Sequence, residues 1–322
     1  MIPIRDTIKA ETYPIVNLSL IALNVVVFLF ELSQGPALSR FIYTYGLVPA
    51  RYSSPQISTY FDSGQQLFSF LSFMFLHGGF LHLLGNMWIL YIFGDNVEDK
   101  LGHFRYLVFY LLCGFTSGMS HLILNWYSDI PTVGASGAIA GVMGAYFILY
   151  PGARVLTLIP IFFFFQFVEI PAFLFLGIWF VFQFLNAALS SGQVGGVAWW
   201  AHIGGFIFGI IFLKLSDTLP EVSLEKRFRG FSQKKTTSRL QVIRPTGVEN
   251  DPNFYGVIAV SKKEALFGAR KLVNIAHGFR KRTLLVKIPP GISDGSKLRL
   301  KGMGRQMPND LRGDLYLKVT IR

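Results

Sequence analysis

At 322 residues, 52% hydrophobic and only 15% charged, with a mean hydropathy of +0.45, the chain is too apolar to be disordered and too apolar for an ordinary soluble protein. Its charge is split: residues 1–216 hold eight Lys and Arg against nine Asp and Glu, whereas residues 217–322 hold 22 against nine. A nearly neutral apolar front and a basic polar rear suit two solvents, lipid and water, and the single Cys113 excludes an intrachain disulfide.

A hydrocarbon core of about 30 Å takes roughly 20 apolar helical residues to cross. Six runs approach that length: 15–32, 80–94 (extended upstream by 67–76), 104–124, 133–150, 170–189 and 196–215. The first follows a mixed-charge segment and lacks a small-residue cleavage site, so it is expected to be an uncleaved span and not a secretory signal. Residues 33–66 form a semi-polar loop whose Phe41, Tyr43, Tyr45 and Tyr52 suit the membrane interface. The Phe-rich stretch 155–167 is too short to span and is expected to be interfacial or re-entrant, leading into the fifth span. With the N-terminus inside, Arg5, Lys9, Lys100, Arg105, Arg154 and Lys214 fall on the cytoplasmic side and only Arg40 and Arg51 outside. That asymmetry, with the basic tail, places both termini in the cytoplasm.

Ionisable and amide groups inside a membrane are costly and mark function. His77, His82 and Asn86 stand at the start of the second run, Ser136 early in the fourth between Gly134 and Gly137, and His202 early in the sixth. Spans two, four and six share a direction, which sets these residues at one depth in the outer part of the membrane. His82 and Asn86 are four apart and share a helix face. A serine hydroxyl becomes a nucleophile when an adjacent imidazole takes its proton, and Asn86, His82 and the Ser136 amide could donate to an oxyanion. Each residue also has a plainer use. Gly-x-Ser-Gly and the Gly137 to Gly141 spacing serve helix packing, and His103 and His121 suit helix–helix hydrogen bonds.

The stretches His77-Gly-Gly-Phe-Leu-His82-Leu-Leu-Gly-Asn86, Gly134-Ala-Ser136-Gly137 and Ala201-His202-Ile-Gly-Gly205-Phe-Ile-Phe-Gly209 together resemble the rhomboid intramembrane serine proteases, over about residues 10–216. The resemblance implies a multi-pass α-helical membrane protein, a six-helix bundle. In it Ser136 is the nucleophile and His202 its general base, without an aspartate. It also implies His82 and Asn86 in the oxyanion site, His77 supporting the loop, and Gly205 and Gly209 letting span six pack on span four. Substrates would be transmembrane segments with helix-breaking or small residues near their outer end. Two positions depart from the family: Phe68 and Ser69 stand where members often carry Trp-Arg, and Ala140 replaces an aromatic that packs on the histidine in some members. Trp199 and Trp200 are candidates for that packing.

Residues 217–250 are polar and basic and read as a linker, with Lys226, Arg227, Arg229, Lys234, Lys235 and Arg239 suited to anionic headgroups. From residue 251 a small mainly-β domain is expected, with alternating runs at 256–260, 271–276, 283–288, 297–300 and 314–321. A short helix fits between Ser261 as cap and Gly268 as stop, with Glu264 completing a capping box. Glu264-Ala-Leu-Phe-Gly, Val286-Lys-Ile-Pro-Pro-Gly291, Asp294 to Gly304 and Gly313-Asp-Leu-Tyr-Leu-Lys resemble the C-terminal substrate-binding fold of the DnaJ co-chaperones. That likeness implies an extended-peptide groove or a dimerisation role. A J-domain signature and zinc-binding cysteine repeats are absent from the sequence.

The reading is thus an intramembrane serine endopeptidase, needing no cofactor or metal ion, whose partners are transmembrane substrates, the lipid bilayer and a cytoplasmic peptide or chaperone. No aromatic-basic stacking motif points to nucleic acid. The competing reading is a catalytically idle relative that binds transmembrane or peptide clients as an adaptor. A proton-coupled transporter lacks support from inverted repeats or a carboxylate chain. Compact loops and no transit-like leader suggest a prokaryotic cytoplasmic membrane.

Overall fold

The computed structural model describes residues 1–161, 164–189, 197–216, 218, 232, 240–246, 251–277, 280–305 and 312–321. The chain divides into two compact units, Met1–Lys234 and Lys235–Arg322.

In the first unit a short strand β1 (Ile2–Asp6) precedes helix α1 (Ile15–Ser33). The expected interfacial loop is built from three short helices, α2 (Leu38–Tyr45), α3 (Ala50–Ser53) and α4 (Pro55–Ser58), and the longer α5 (Ser63–Ser72), which is capped by Asp62. The bundle continues with α6 (Phe80–Leu101), α7 (His103–Leu124) and α8 (Ser136–Leu149). Strands β2 (Arg154–Ile161) and β3 (Phe164–Pro171) then lead into α9 (Ala172–Leu189) and α10 (Trp199–Ser216). Among the described residues, α1, α7, α9 and α10 are long and apolar enough to cross a membrane. Helix α6 has the length but ends in Asp95, Glu98, Asp99 and Lys100. Helix α8 has 14 residues, about 21 Å, so it falls short of a hydrocarbon core. The upstream segment 67–76 belongs mainly to the separate α5, and not to the second span as expected.

The Phe-rich stretch, expected to be too short to span, lies in an antiparallel hairpin, β2 against β3, with β1 paired on the other edge of β2. Its β-branched and aromatic content favours extended backbone. Glu169 sits on β3 near Arg154.

Packing in the bundle centres on α8. Its glycines bring α10 to backbone contact: a Cβ on Gly205 would collide with the Gly137 carbonyl, one on Gly209 with the Gly141 backbone, and one on Gly144 with the Phe206 carbonyl. Around this seam Tyr106, Tyr110, Phe93, Tyr146 and Leu176 are fully buried.

The second unit is two three-stranded sheets around one apolar core. β4 (Leu240–Ile243) runs parallel to β6 (Ala269–His277), which pairs antiparallel with β7 (Arg280–Ile288). β5 (Phe254–Val260) runs parallel to β9 (Leu315–Ile321), which pairs antiparallel with β8 (Lys297–Leu300). Alternate residues of β6, β7 and β9, among them Val273, Val286, Leu315, Leu317 and Val319, fill the core. Helix α11 (Lys262–Phe267) carries the capping box, Ser261 accepting from the Glu264 amide and Glu264 from the Ser261 amide. Strand β4 lies inside the stretch read as linker; the rest of 217–239, apart from Thr218 and Ser232, lies outside the described residues.

Candidate active site

Helix α8 begins at Ser136 because Gly134 adopts φ +128°, a conformation that side chains rarely tolerate. The Gly134 amide donates to the Phe73 carbonyl at 2.8 Å, fixing the entry into the helix. Ser136 lines a cavity of about 530 Å³. Ser136, His202, His82, Asn86, His121, Gly134, Trp199 and Trp200 all contribute to its walls.

His202, in the first turn of α10, is buried, and its Nε2 lies 2.7 Å from Ser136 Oγ. The small-residue seam between α8 and α10 makes this approach possible, since a side chain at Gly205 would collide with the Gly137 carbonyl and hold the backbones apart. On its other edge, His202 Nδ1 lies 2.7 Å from Gln183 Oε1, a buried amide of α9. The ring is flanked by Trp179, centroids 5.9 Å apart, and edge-on by Trp199 at 6.3 Å. Thus the aromatic packing missing at Ala140 comes from α9 and the start of α10. Trp199 was visible in the sequence as a candidate, whereas Trp179 and Gln183 were not singled out. Their four-residue spacing in a run otherwise almost wholly apolar was the available signal.

Asn86 and His82 share a face of α6 and converge on Gly134: a Cβ there would lie 2.9 Å from His82 Nε2 and 3.6 Å from Asn86 Nδ2. Asn86 is buried, and its Nδ2 has no hydrogen-bond partner among the described residues. An unsatisfied buried donor next to Ser136, beside first-turn amides of α8 that lie outside the helix's own ladder, suits a developing negative charge. His77 does not line the cavity. It is buried behind it, its amide donating to the Glu31 carboxylate of α1 at 3.1 Å and its ring 5.2 Å from that of His82. His121, set aside from sequence, does line the cavity, while His103 lies elsewhere, bonded to Glu98 and Ser232. Among the described residues, no cluster of His, Cys, Asp or Glu is arranged to hold a metal ion.

The loop departure at Phe68 and Ser69 also has a counterpart in the structure. Arg51 is buried in the 33–66 loop, donates to the Thr44 carbonyl at 3.0 Å and lies over the Phe61 ring at 3.7 Å. Ser69 instead meets the Tyr52 hydroxyl at 2.9 Å.

Similarity to known proteins covers both parts of the chain. The Rhomboid domain model matches residues 64–216 and the DnaJ C terminal domain model residues 220–322. Rhomboid protein 1, mitochondrial, of Saccharomyces cerevisiae is 29% identical over 212 residues, covering 63% of this chain and 54% of that protein. RHOMBOID-like protein 6, mitochondrial, of Arabidopsis thaliana is 31% identical over 170 residues, covering 53% and 50%. Presenilin-associated rhomboid-like protein, mitochondrial, of Bos taurus is 26% identical over 229 residues, covering 68% and 53%. The chain spans about half the length of these relatives. Its apolar helices and these matches make it a multi-pass integral membrane protein, similar to the Rhomboid domain over residues 64–216 and to the DnaJ C terminal domain over residues 220–322.

Proposed function

We propose that the rhomboid domain is an intramembrane serine endopeptidase that cleaves transmembrane segments of membrane proteins near the outer face. The observation that carries this reading is the 2.7 Å approach of His202 Nε2 to Ser136 Oγ in a cavity that His82 and Asn86 also line. Ser136 Oγ bonds to the scissile carbonyl carbon while its proton passes to His202 Nε2. The oxyanion receives hydrogen bonds from Asn86 Nδ2, His82 and the Ser136 amide. His202 then gives the proton to the leaving amine as the C–N bond breaks, and water entering the cavity hydrolyses the acyl-enzyme with His202 again as base. A helical substrate hides its carbonyls in its own hydrogen bonds, so helix-breaking or small residues at the cleavage site favour reaction.

The distribution of cationic segments supports an orientation with both termini on the cytoplasmic face or its equivalent. The three relatives named above are eukaryotic and called mitochondrial, and lend no support to a prokaryotic membrane. For the tail, binding of extended peptide is favoured by the apolar side chains Val242, Leu272 and Leu285 exposed on neighbouring strands β4, β6 and β7.

The test is cleavage of a transmembrane peptide in liposomes by purified protein. Ser136→Ala abolishes product while leaving the protein folded and inserted; cleavage retained in a purified Ser136→Ala sample refutes the assignment. A folded wild type that cleaves nothing favours the adaptor reading.

A further inference from the structure

An imidazole can serve as base toward a serine only in one of its two neutral tautomers. His202 must carry its proton on Nδ1 so that the Nε2 lone pair faces Ser136. In the other tautomer Nε2–H points at the hydroxyl oxygen and can take no proton from it. The dyad implied by the sequence contains no group that makes this choice. The structure supplies one from α9: Gln183 Oε1, a carbonyl oxygen that only accepts, lies 2.7 Å from His202 Nδ1. Gln183 is buried in a helix whose neighbouring residues are mostly Phe, Leu and Val, where a polar side chain is retained at a cost. One turn earlier on the same face, Trp179 packs against the His202 ring. Two contacts from one helix face therefore hold both the tilt of the imidazole and the site of its proton.

We propose that Gln183 is a positioning residue for the reaction: by accepting from Nδ1 it keeps His202 in the tautomer whose Nε2 receives the Ser136 proton. The inference rests on the protease reading for its kinetic consequence, but the tautomer assignment stands independently of turnover. In effect the site is a Ser–His–Gln chain, with a neutral amide oxygen where other serine hydrolases use a carboxylate. An amide orients the ring without adding a buried negative charge, which a membrane interior would penalise.

A plain interhelical hydrogen bond from Gln183 is the competing account, and two variants separate the two. Gln183→Met keeps length and apolar packing and removes the acceptor; Gln183→Glu restores an acceptor at the same atom. Full-length protein labelled with ¹⁵N-histidine is read by NMR, with the His202 ring signals identified by their absence in His202→Asn. The same samples are assayed for the rate of fluorophosphonate labelling and for peptide cleavage. The wild type should show the Nδ1–H tautomer. Gln183→Met should lose it to a mixture, and kcat and labelling rate should fall on the order of tenfold or more, as expected for one lost hydrogen bond, with KM unchanged. Gln183→Glu should restore most of the rate and move the acidic limb of its pH profile upward, because a carboxylate stabilises the imidazolium and the base acts only when neutral. If Gln183→Met keeps the wild-type tautomer and labelling rate, the proposal is overturned. Should the wild type prove inactive, the protease reading fails, and the NMR comparison alone still decides whether Gln183 sets the tautomer.

Discussion

Arg51 ties the 33–66 loop together: it donates to the Thr44 carbonyl, and its cationic plane lies against Phe61 and Tyr43. Arg51→Met should therefore speed hydrogen exchange across residues 38–58 by an amount worth about 1–2 kcal/mol, while Ser136 stays reactive toward a fluorophosphonate. Exchange unchanged from the wild type would mean the loop is held by its aromatic contacts alone. The His103 network shows why residue types must be read in place. Ser232 Oγ lies 2.7 Å from His103 Nε2, whose Nδ1 meets Glu98, repeating the atom order of a catalytic triad. Yet Glu98 also accepts from the Val16 and Asn17 amides at the start of α1, and Ser232 is 2% exposed. Out of reach of any substrate carbonyl, this constellation ties together α1, α6 and Ser232. From sequence, Ser136, His202, His82 and Asn86 were legible because each is a polar residue stranded in an apolar run. Gln183 obeyed the same rule and was overlooked, since nothing in the local spacing tied it to His202, 19 residues away.

Among the elements, the α8–α10 seam is the one on which the site depends. Because Gly209 meets the Gly141 backbone, Gly209→Val should push the helices apart and cost about 2 kcal/mol or more, read as a lower melting temperature in detergent. Fluorophosphonate labelling should fall with it, although Gly209 lies two turns from His202; normal labelling in a destabilised variant would show that the dyad tolerates a wider seam. In the tail, Ser261→Ala removes the cap of α11 and should cost about 1 kcal/mol in the stability of that unit, read by exchange of the 262–268 amides. This capping box was readable directly, as were the strands at 256–260, 271–276, 283–288 and 297–300, because alternation and turn residues bound them. The β1–β2–β3 sheet was not. Residues 155–167 lack alternation, so periodicity could not distinguish a strand from a buried helix, and only their β-branched and aromatic content pointed the right way. Strand β4 was hidden by its four-residue length within a basic stretch.

Over the whole molecule, the two units answer to different solvents, and they should fail under different conditions. Asp314 accepts from the Gly302 amide and from Arg299, which hold its carboxyl below the usual carboxylate range; Glu264 is likewise lowered by the Ser261 amide and by Lys271. Both groups are therefore more acidic folded than unfolded. The stability they contribute is complete above their unfolded values, roughly pH 4, and is lost as pH falls through that value toward the folded ones. Exchange of the β9 amides should accelerate below about pH 4, and Asp314→Asn should flatten that dependence. The same division governs function. Removing residues 235–322 should leave cleavage of a minimal transmembrane peptide unchanged while altering turnover of substrates that carry extended segments on the tail's side of the membrane. The charge asymmetry between front and rear made the two units legible, but the sequence offered no spacing that related one to the other. The most direct measurement is mass-spectrometric mapping of a fluorophosphonate on detergent-purified wild type, Ser136→Ala and His202→Ala. The account predicts labelling at Ser136 in the wild type and none there in either variant. A folded wild type left unlabelled, or equal labelling in His202→Ala, would contradict it.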